Sequence, residues 1–534
     1  MSHVLMLAAA IVGIYALRGL ANYGESTILG YIGNRIIANI QRRLFNHILV
    51  QGMPYFQQNH SSHLISVNQI VGTSTQLAAS LIISSITNVL SVIAFLAVMF
   101  IRDPLLATLV LLGLPVAALS IRYLYDRMGR VVTRQNTSWA LITSVIQEAA
   151  QGIRVVKSFN MEEGMRRRMA NAIKTAERIG NRMAELGNRS APIMDTLAGF
   201  AIAMVLIYGG WRITAGHLTL PDLVSFLAAF FMVYAPAKAL AKVNVVLAQA
   251  LIGIRLYYNI IDQPSSEGEA ELKKPAFVNK GGKIVFDKVT FGYAPNEPVL
   301  RELSLVADAG KTTALVGQSG GGKSTIINLI LRFYDPQTGI IAIDGQDLRS
   351  VSLSSLRSAS AYVGQDVFLF AGTIYENIAS GREGATKDEV IAAARAAHAH
   401  DFITAFPLGY ESLVGERGTQ LSGGQRARIA IARAILRDAP MILLDEATAA
   451  LDSESEKAVQ DALDDLCAGR TVVVIAHRLQ TIQRADKICV IEGGQIVEEG
   501  NHEQLLARNG RYAFLHSVQF REDAEQSVAL DWNS

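Results

Sequence analysis

The sequence has few of the features that mark disulfide-bonded, metal-binding or nucleic-acid-binding proteins. Its 534 residues contain two cysteines, Cys467 and Cys489, which form neither a CxxC pair nor a metal-ligand spacing. The 49 lysines and arginines are almost balanced by 47 acidic residues, so the formal net charge is only +2, and no basic run compensates. These absences indicate a reduced setting with two small core cysteines, and they argue against nucleic acid as a partner.

Charged residues are sparse in five long segments of the first half of the chain. A helix needs roughly twenty mostly apolar residues to cross a bilayer, and in hydrocarbon a helix satisfies its own backbone groups. The segments that meet this requirement are Val4–Tyr23, Leu77–Ile101, Pro104–Tyr123, Ile193–Trp211 and Pro221–Leu240. The first has no basic residue before it and no evident cleavage site, which predicts a retained span rather than a signal peptide.

The connections between these segments alternate in length and charge. Residues 102–104 and 212–221 are short, whereas 25–76 and 122–189 are long and carry most of the basic residues. By the positive-inside rule the long connections are cytoplasmic, and their helical patterning predicts helices that continue beyond the membrane. Five spans then place Met1 outside the cell, which predicts that an initial helix is missing; a true five-span protein is the alternative.

The second half of the chain has the pattern of a soluble α/β protein. This pattern starts at about Gly281, after a stretch rich in Pro, Ser, Glu and Lys. The predicted organisation is a multi-pass transmembrane domain over 1–260, a linker over 261–280, a cytoplasmic α/β domain over 281–520 and a polar tail over 521–534.

A glycine-rich segment of this half matches the phosphate-binding pattern GxxxxGK[ST] in full. It follows the apolar strand predicted at Thr313–Val316 and precedes an apolar helix predicted at Ile326–Phe333. Lys323 is predicted to reach the β- and γ-phosphates of ATP, and Ser324 to offer its hydroxyl to Mg²⁺. The predicted nucleotide-binding residues are Gly317, Gln318, Ser319, Gly320, Gly321, Gly322, Lys323, Ser324 and Thr325.

Two further apolar strands end in polar residues. Met441–Leu444 runs into Asp445 and Glu446, and Thr471–Ile475 is followed by Ala476 and His477. Parallel strands present ligand sites at their carboxyl ends, so Asp445 suits the Mg²⁺ shell and Glu446 the role of a base that polarises water. At the same edge, His477 is a candidate contact for the γ-phosphate.

A second anion-binding pattern lies between these motifs. Leu421 is followed by Ser422, Gly423, Gly424 and Gln425, and then by an amphipathic helix. A serine and two glycines ahead of a helix can bind an anion, which would be superfluous unless this site serves a different face of the nucleotide.

Together and in this order, these residues resemble the ATP-binding cassette superfamily over about 281–520. The resemblance adds Gln365, in YVGQD, as a Mg²⁺ and coupling residue, and Tyr293 as the aromatic on which adenine stacks. Ala449, at the start of Ala449–Asp452, departs from the serine that is frequent there. The resemblance implies a head-to-tail sandwich in which the phosphate loop of one copy meets the Ser422 segment of another. Only one set of motifs is present, so the implied partner is a second copy.

The membrane half resembles the B-type exporter half-transporters. The implied fold is a membrane all-α helical bundle of the type I exporter class joined to an α/β P-loop NTPase cassette. Gly152–Phe159 is similar to the second coupling helix of that group, and Val67–Gly72 is expected to hold the first.

Within that group, three positions resemble the MsbA-type lipid A and multidrug exporters. They imply that Arg18, Arg122 and Lys238 contact an anionic amphipathic or lipid substrate, because a charge at membrane depth is costly and usually faces a cavity or partner. The residues also allow Arg122 and Lys238 to snorkel to the interface, with Asp195 neutralising one charge.

Other functions compatible with these motifs differ in their membrane half. A multidrug or peptide exporter would have an aromatic cavity, for which the last span offers Phe226, Phe230 and Phe231. An ATP-gated channel would share the whole architecture. The hydrophobic spans argue against the soluble DNA-repair and translation ATPases that carry the same cassette motifs.

Overall fold

The computed structural model describes residues 1–59, 61–111, 114–265, 267–294, 296–415, 418–445, 453–476 and 479–518. The chain divides into two compact units. A helical unit comprises Met1–Gln51 and Tyr55–Ser265, and a mixed α/β unit comprises Gly52–Pro54 and the chain from Ser266 onward.

Long helices make up the first part of the chain. They are α1 (Ser2–Leu49), α2 (Met53–Gln58), α3 (Ser61–Arg102), α4 (Pro104–Leu111), α5 (Leu114–Gln151), α6 (Ile153–Ser158), α7 (Glu162–Asn188), α8 (Ser190–Thr214) and α9 (Leu220–Ile261). Helices α1, α3 and α9 contain 48, 42 and 42 residues, about twice the length that a bilayer requires. The prediction that the spans continue as helices beyond the membrane is therefore confirmed.

Four helical segments among the described residues are long and apolar enough to cross a membrane. They are Ser2–Leu49, Leu64–Arg102, Glu162–Thr214 and Leu220–Ile261. They coincide with four of the five predicted spans. The remaining prediction, Pro104–Tyr123, falls on α4 and α5, whose junction at 112–113 lies outside the described residues.

A polar cluster holds the short connections at one end of the helical unit. The buried carboxylate of Asp103 accepts hydrogen bonds from the backbone N–H of Leu105 (2.9 Å) and Leu106 (3.1 Å), which caps α4, and it also pairs with Arg212. Next to it, Arg102 lies 3.5 Å from Asp222, near the start of α9. Packed beside this cluster is an apolar core contributed by α3, α4, α8 and α9, namely Met99, Leu106, Ala107, Val205, Leu223, Phe226, Ala229 and Phe230.

Two short helices connect long ones: α2 lies between α1 and α3, and α6 lies between α5 and α7. Helix α6 lies within the segment 152–159 that the sequence singles out. The expectation that Val67–Gly72 holds the other short helix is wrong, because these residues lie inside the continuous helix α3. The separate short helix is α2, whose Pro54 sits in the first turn, where a missing N–H costs nothing.

Two sheets organise the α/β unit. The first is antiparallel, in the order β2 (Leu300–Ala307), β1 (Ile284–Phe291), β4 (Thr338–Ile343), β5 (Gln346–Asp347). The second has the order β10 (Gln495–Gly500), β9 (Lys487–Glu492), β3 (Thr312–Val316), β8 (Thr471–Ile475), β7 (Met441–Asp445), β6 (Ser360–Val363). It is parallel except for β10, which pairs antiparallel with β9.

The described helices of this unit are α10 (Glu269–Leu272), α11 (Lys323–Ile330), α12 (Leu353–Ser358), α13 (Ile374–Ala379), α14 (Lys387–Ala396), α15 (His400–Ala405), α16 (Gly423–Arg437), α17 (Ser453–Cys467), α18 (Leu479–Gln483) and α19 (His502–Ala507). The large sheet is buried on both faces. Ile442 and Leu444 of β7 belong to one core, while Met441 and Leu443 belong to the core on the opposite face. Burial on both faces explains why Met441–Leu444 of β7 is apolar at every position, as the sequence predicted.

Residues 267–280 are attached to the α/β unit by ion pairs and backbone hydrogen bonds. Arg357 donates to both carboxylate oxygens of Glu267 at 2.8 Å. Arg332 likewise donates to both oxygens of Glu271 at 3.0 and 3.2 Å. The Arg332 and Glu271 side chains are only 8% and 11% exposed. This part of the predicted linker is therefore fixed against the folded unit.

Candidate functional site

The phosphate loop connects β3 to α11 and requires glycine at two points. Gly317 has φ 152°, and a Cβ there would lie 2.2 Å from the carbonyl oxygen of Ile491. Gly322 has φ 99° and precedes α11, where a Cβ would lie 2.7 Å from Leu300. No larger residue fits at these points, so the loop backbone can turn its N–H groups toward an anion.

Lys323 is held inside this loop. Its side chain is buried, and Nζ donates to the carbonyl oxygens of Gly317 (2.8 Å) and Gln318 (2.9 Å). Ser324, one residue later in the first turn of α11, is exposed. The ammonium and the hydroxyl therefore both lie at the positive end of the helix, where phosphate and a metal ion bind favourably.

Tyr293 is oriented by aromatic neighbours and by the first helix of the site. Its hydroxyl lies 3.1 Å from Oγ1 of Thr325 and accepts a hydrogen bond from Asn328 at 3.2 Å. Phe291 and Tyr334 each meet its ring edge-on, with centroids 5.1 Å away. Tyr293 remains 45% exposed, so it offers a surface for a base to stack on. Thr325 is buried and contacts Tyr293, which gives it a role in positioning this tyrosine.

A pocket of about 690 Å³ joins Tyr293 to the phosphate loop. Its volume is in the range of small-molecule sites, about 300 to 1,000 Å³. One wall is formed by Gln318, Ser319, Gly320 and Gly321. The lining also contains residues that sequence reasoning missed, namely Asn296, Arg301, Glu492, Gly493 and Gly494. In the sequence, Gly493 and Gly494 indicate a turn between two strands. They do not indicate that β9 lies beside β3, which brings this turn to the phosphate loop.

The order of the parallel strands brings the remaining motifs to one edge of the large sheet. Asp445 ends β7, and Gln365 follows β6 by two residues, in an exposed position. Strand β8 lies between β7 and the strand of the phosphate loop. Glu446 and His477, which follow Asp445 and Ala476, lie outside the described residues, as does Ala449–Asp452.

Tyr362 of β6 is a further group near Asp445. Burial and the carboxylates of Asp445 and Asp366 raise the pKa of this phenol. The phenol therefore remains neutral at physiological pH and can donate a hydrogen bond at this edge. Sequence reasoning overlooked it because a tyrosine in a strand usually indicates only packing.

The second anion-binding pattern is a helix N-terminus, as predicted. The hydroxyl of Ser422 accepts from the N–H of Gln425 at 3.2 Å, and the amide oxygen of Gln425 accepts from the N–H of Ser422 at 2.9 Å. This capping box starts α16 directly at Gly423, followed by Gly424. None of these residues is among the described residues that line the pocket beside Tyr293. The Ser422 segment is therefore separate from the phosphate-loop pocket within one chain.

The three predicted substrate residues differ in their surroundings. Lys238 pairs with Asp195 at 2.6 Å and lies 5.5 Å from the ring centre of Tyr234. Arg18 is exposed on α1 and forms no hydrogen bond or ion pair within the part of the chain that the structure describes. Arg122 belongs to α5, but its side chain lies outside the described side chains. Asp195 is thus the neutralising partner that the sequence offered for one of these charges.

Comparisons with known proteins agree with this division of the chain. The ABC transporter transmembrane region matches residues 2–236, and the ABC transporter family matches residues 300–449. An uncharacterized ABC transporter ATP-binding protein of Sinorhizobium fredii is 44% identical over 97% of this chain and 88% of its own length. The ATP-dependent lipid A-core flippase of Syntrophus aciditrophicus is 41% identical over 96% of this chain and 85% of its own length.

A solved structure, that of a bacterial Atm1-family ABC exporter with ATP bound, has a TM-score of 0.86 and 30% identity, covering 92% of this chain and 87% of that chain. The helical unit, the phosphate-loop pocket and these similarities lead to one assignment. The chain belongs to the ABC transporter family, as a multi-pass membrane exporter that couples ATP hydrolysis to transport.

Proposed function

We propose that two copies of this chain form a flippase for a lipid A-type glycolipid in the inner membrane, with the α/β units in the cytoplasm. The phosphate loop and the Ser422 segment, which we call the two half-sites, are separate within one chain. This separation supports the dimer. The pocket beside Tyr293 contains the phosphate loop, while Ser422 lies at a different helix N-terminus. Each nucleotide would then be bound by the phosphate loop of one copy and the Ser422 segment of the other.

The residues of the nucleotide site have distinct proposed roles. Tyr293 stacks on the base, Lys323 neutralises charge on the β- and γ-phosphates, and Glu446 polarises the attacking water. His477 contacts the γ-phosphate. Ser324, Gln365 and Asp445 offer the oxygen ligands that Mg²⁺ prefers, and Mg²⁺ bound there would supply positive charge to the phosphates.

The lipid substrate is supported by the relatives and by the charges in the helical unit. Several relatives at 36–41% identity are named ATP-dependent lipid A-core flippase. Arg18 is an exposed cation on an apolar helix, which suits the phosphate of such a head group. Lys238 is already paired with Asp195, so Arg18 is the stronger anion ligand of the two.

The rival multidrug function receives less support from the aromatic residues. Phe226 and Phe230 are 1% and 7% exposed, because they pack in the apolar core between α3, α4, α8 and α9. Phe231 is 59% exposed. Of the three phenylalanines offered by the last span, only this one is accessible to an apolar substrate.

The test measures ATPase activity in liposomes with and without a phosphorylated glycolipid. The glycolipid should stimulate the ATPase activity of the parent. In the double variant Arg18→Ala, Lys238→Ala, the ratio of stimulated to basal ATPase rate should fall close to one. Arg178→Ala, an exposed arginine on α7, is the matched control and should respond like the parent. Stimulation of both proteins by apolar drugs and of neither by the glycolipid would refute the lipid substrate while retaining the exporter.

A further inference from the structure

A second intramembrane charge lies close to Arg18 and has no role in the function described so far. Glu25 of α1 is exposed, and its Oε1 lies 2.8 Å from the hydroxyl of Thr87 on α3. The sequence interpretation placed Glu25 at the start of a cytoplasmic connection. The contact with Thr87 brings Glu25 beside the predicted span Leu77–Ile101.

The depth of this contact follows from the geometry of α3. That helix ends at Arg102, and Thr87 lies fifteen residues before this end. At 1.5 Å per residue, Thr87 lies about 22 Å along α3 from this end, less than the roughly 30 Å thickness of a hydrocarbon core. Glu25 lies at the level of Thr87, because the two side chains are in contact. A carboxylate at this depth is costly unless a polar partner compensates for lost hydration.

Glu25 shares one face of α1 with other polar groups. Arg18, Asn22 and Glu25 are spaced by four and three residues, which aligns them on one side of a helix. Seven residues separate the guanidinium from the carboxylate, a rise of about 10 Å. Ser84, Thr87 and Ser91 form an equivalent hydroxyl row on α3, and Glu25 touches its middle member.

The hydrogen bond from Thr87 replaces only part of the hydration that the Glu25 carboxylate loses. Its hydroxyl also lies 3.2 Å from the carbonyl oxygen of Ile83, and a single proton serves one of these acceptors at a time. Three other cations of the helical unit have ion partners: Lys238 with Asp195, Arg212 with Asp103, and Arg102 with Asp222. Among the described side chains, neither Arg18 nor Glu25 has one. The polar stripe of α1 therefore retains an exposed cation and an exposed acceptor about 10 Å apart.

We propose that the polar face of α1 formed by Arg18, Asn22 and Glu25 recognises two features of the transported head group. Arg18 binds a phosphate, and Glu25 accepts hydrogen bonds from hydroxyl or ammonium groups about 10 Å away. The inference rests on the proposed lipid function and sharpens it. It predicts selection of lipids that carry both an anion and hydrogen-bond donors over lipids that carry an anion alone.

The experiment compares two lipids on the full-length protein. One is a phosphorylated glycolipid, and the other is a phosphatidylmethanol, whose head group has a phosphate but no hydroxyl. Binding is measured by native mass spectrometry in detergent, and stimulation of ATPase is measured in liposomes. The variants are Arg18→Ala, Glu25→Gln and Thr87→Val, with Glu177→Gln on the exposed face of α7 as the control.

The parent and the control should bind the glycolipid at least tenfold more tightly than phosphatidylmethanol. In Glu25→Gln this preference should fall about tenfold, because a charge-assisted hydrogen bond is lost while the phosphate contact remains. Thr87→Val should retain the preference, whereas Arg18→Ala should weaken binding of both lipids. Unchanged selectivity in a folded Glu25→Gln protein would overturn the inference.

The two proposals fail in different ways. A parent that binds the two lipids equally, or prefers phosphatidylmethanol, refutes the role of Glu25 whatever the ATPase does. A parent that prefers the glycolipid through Glu25 but shows no stimulation by it refutes the transport substrate and leaves the binding site standing.

Discussion

Among single residues, the glycines of the phosphate loop connect sequence to structure most directly. Gly317 combines φ 152° with a close approach to the carbonyl oxygen of Ile491. Each constraint alone excludes most side chains, and together they explain why the motif begins with glycine. The loop backbone, rather than its side chains, shapes the anion site.

We predict that Gly317→Ala lowers ATP affinity at least tenfold and destabilises the cassette by about 1–3 kcal/mol, because the new methyl group meets the backbone of β9. Calorimetric titration of an ATP analogue and thermal unfolding would measure the two effects. Gly310→Ala is the control, since Gly310 also has positive φ (68°) but a Cβ added there would meet nothing within 4 Å. Equal effects of both substitutions would show that φ alone matters.

The two cysteines are predicted to be unreactive in the folded protein. Burial raises the pKa of both Cys467 and Cys489 to about 12, so their thiols are neutral at pH 8. A thiol reagent should label neither residue at pH 8 in the native protein and both after denaturation. Rapid native labelling at pH 8 would contradict the predicted burial.

The same pKa shift predicts how stability depends on pH. The unfolded thiols ionise near pH 8.5, whereas the folded thiols remain protonated. Their contribution to stability is therefore present below about pH 8.5 and lost as pH rises toward 12. Replacing both cysteines by alanine should flatten this alkaline part of the stability curve, measured by denaturant unfolding.

At the scale of elements, residues 267–280 act as part of the cassette rather than as a free tether. Two arginines each bind a glutamate of this segment through both carboxylate oxygens, and Phe277 donates its N–H to Ser355 at 2.7 Å. Bidentate pairs between partly buried groups restrict orientation as well as position.

We expect Glu271→Gln to destabilise the cassette by about 2 kcal/mol, because Arg332 is largely buried and keeps Asp335 as its ion-pair partner among the described residues. Thermal unfolding of the full-length protein, followed by a cassette-specific signal such as nucleotide protection, would measure the change. Glu269→Gln, an exposed neighbour on α10, should have little effect. Comparable losses in both variants would argue against a specific role for the buried pair.

For the whole molecule, the separation of the two half-sites makes a prediction about complementation. Chains with Lys323→Ala or with Ser422→Arg should each be inactive as homodimers. In a mixed dimer, the intact phosphate loop of one chain meets the intact Ser422 segment of the other. One complete site is therefore restored, and co-purified mixtures should regain part of the ATPase rate.

The control is a chain carrying both substitutions, mixed with the parent, because neither site of that mixed dimer is complete. Activity in the first mixture but not in purified mixed dimers of the second supports shared sites. Equal activity in the two would indicate that each chain binds and hydrolyses ATP by itself.

The sequence determined the features that depend on a few neighbouring residues. The spacing of Gly317 to Lys323 predicted the phosphate loop, the capping pattern at Ser422 predicted the start of α16, and apolar runs predicted β7 and β8. Length and apolarity predicted five spans, four of which coincide with described helical segments long and apolar enough to cross a membrane. These signals are local, because caps, turns and hydrophobic periodicity act over one or two turns of chain.

Tertiary structure alone decided which distant groups meet. The contact of Glu25 with Thr87 and the position of Glu492 to Gly494 beside the phosphate loop join elements that lie far apart in the sequence. For Lys238 and Asp195, the sequence offered the pairing, and the structure decided which cation Asp195 neutralises. Packing also buried Phe226 and Phe230, which the sequence offered as cavity residues. The physical reason is that the rotation of each helix and the order of strands are set by the summed packing of whole faces, which no single motif encodes.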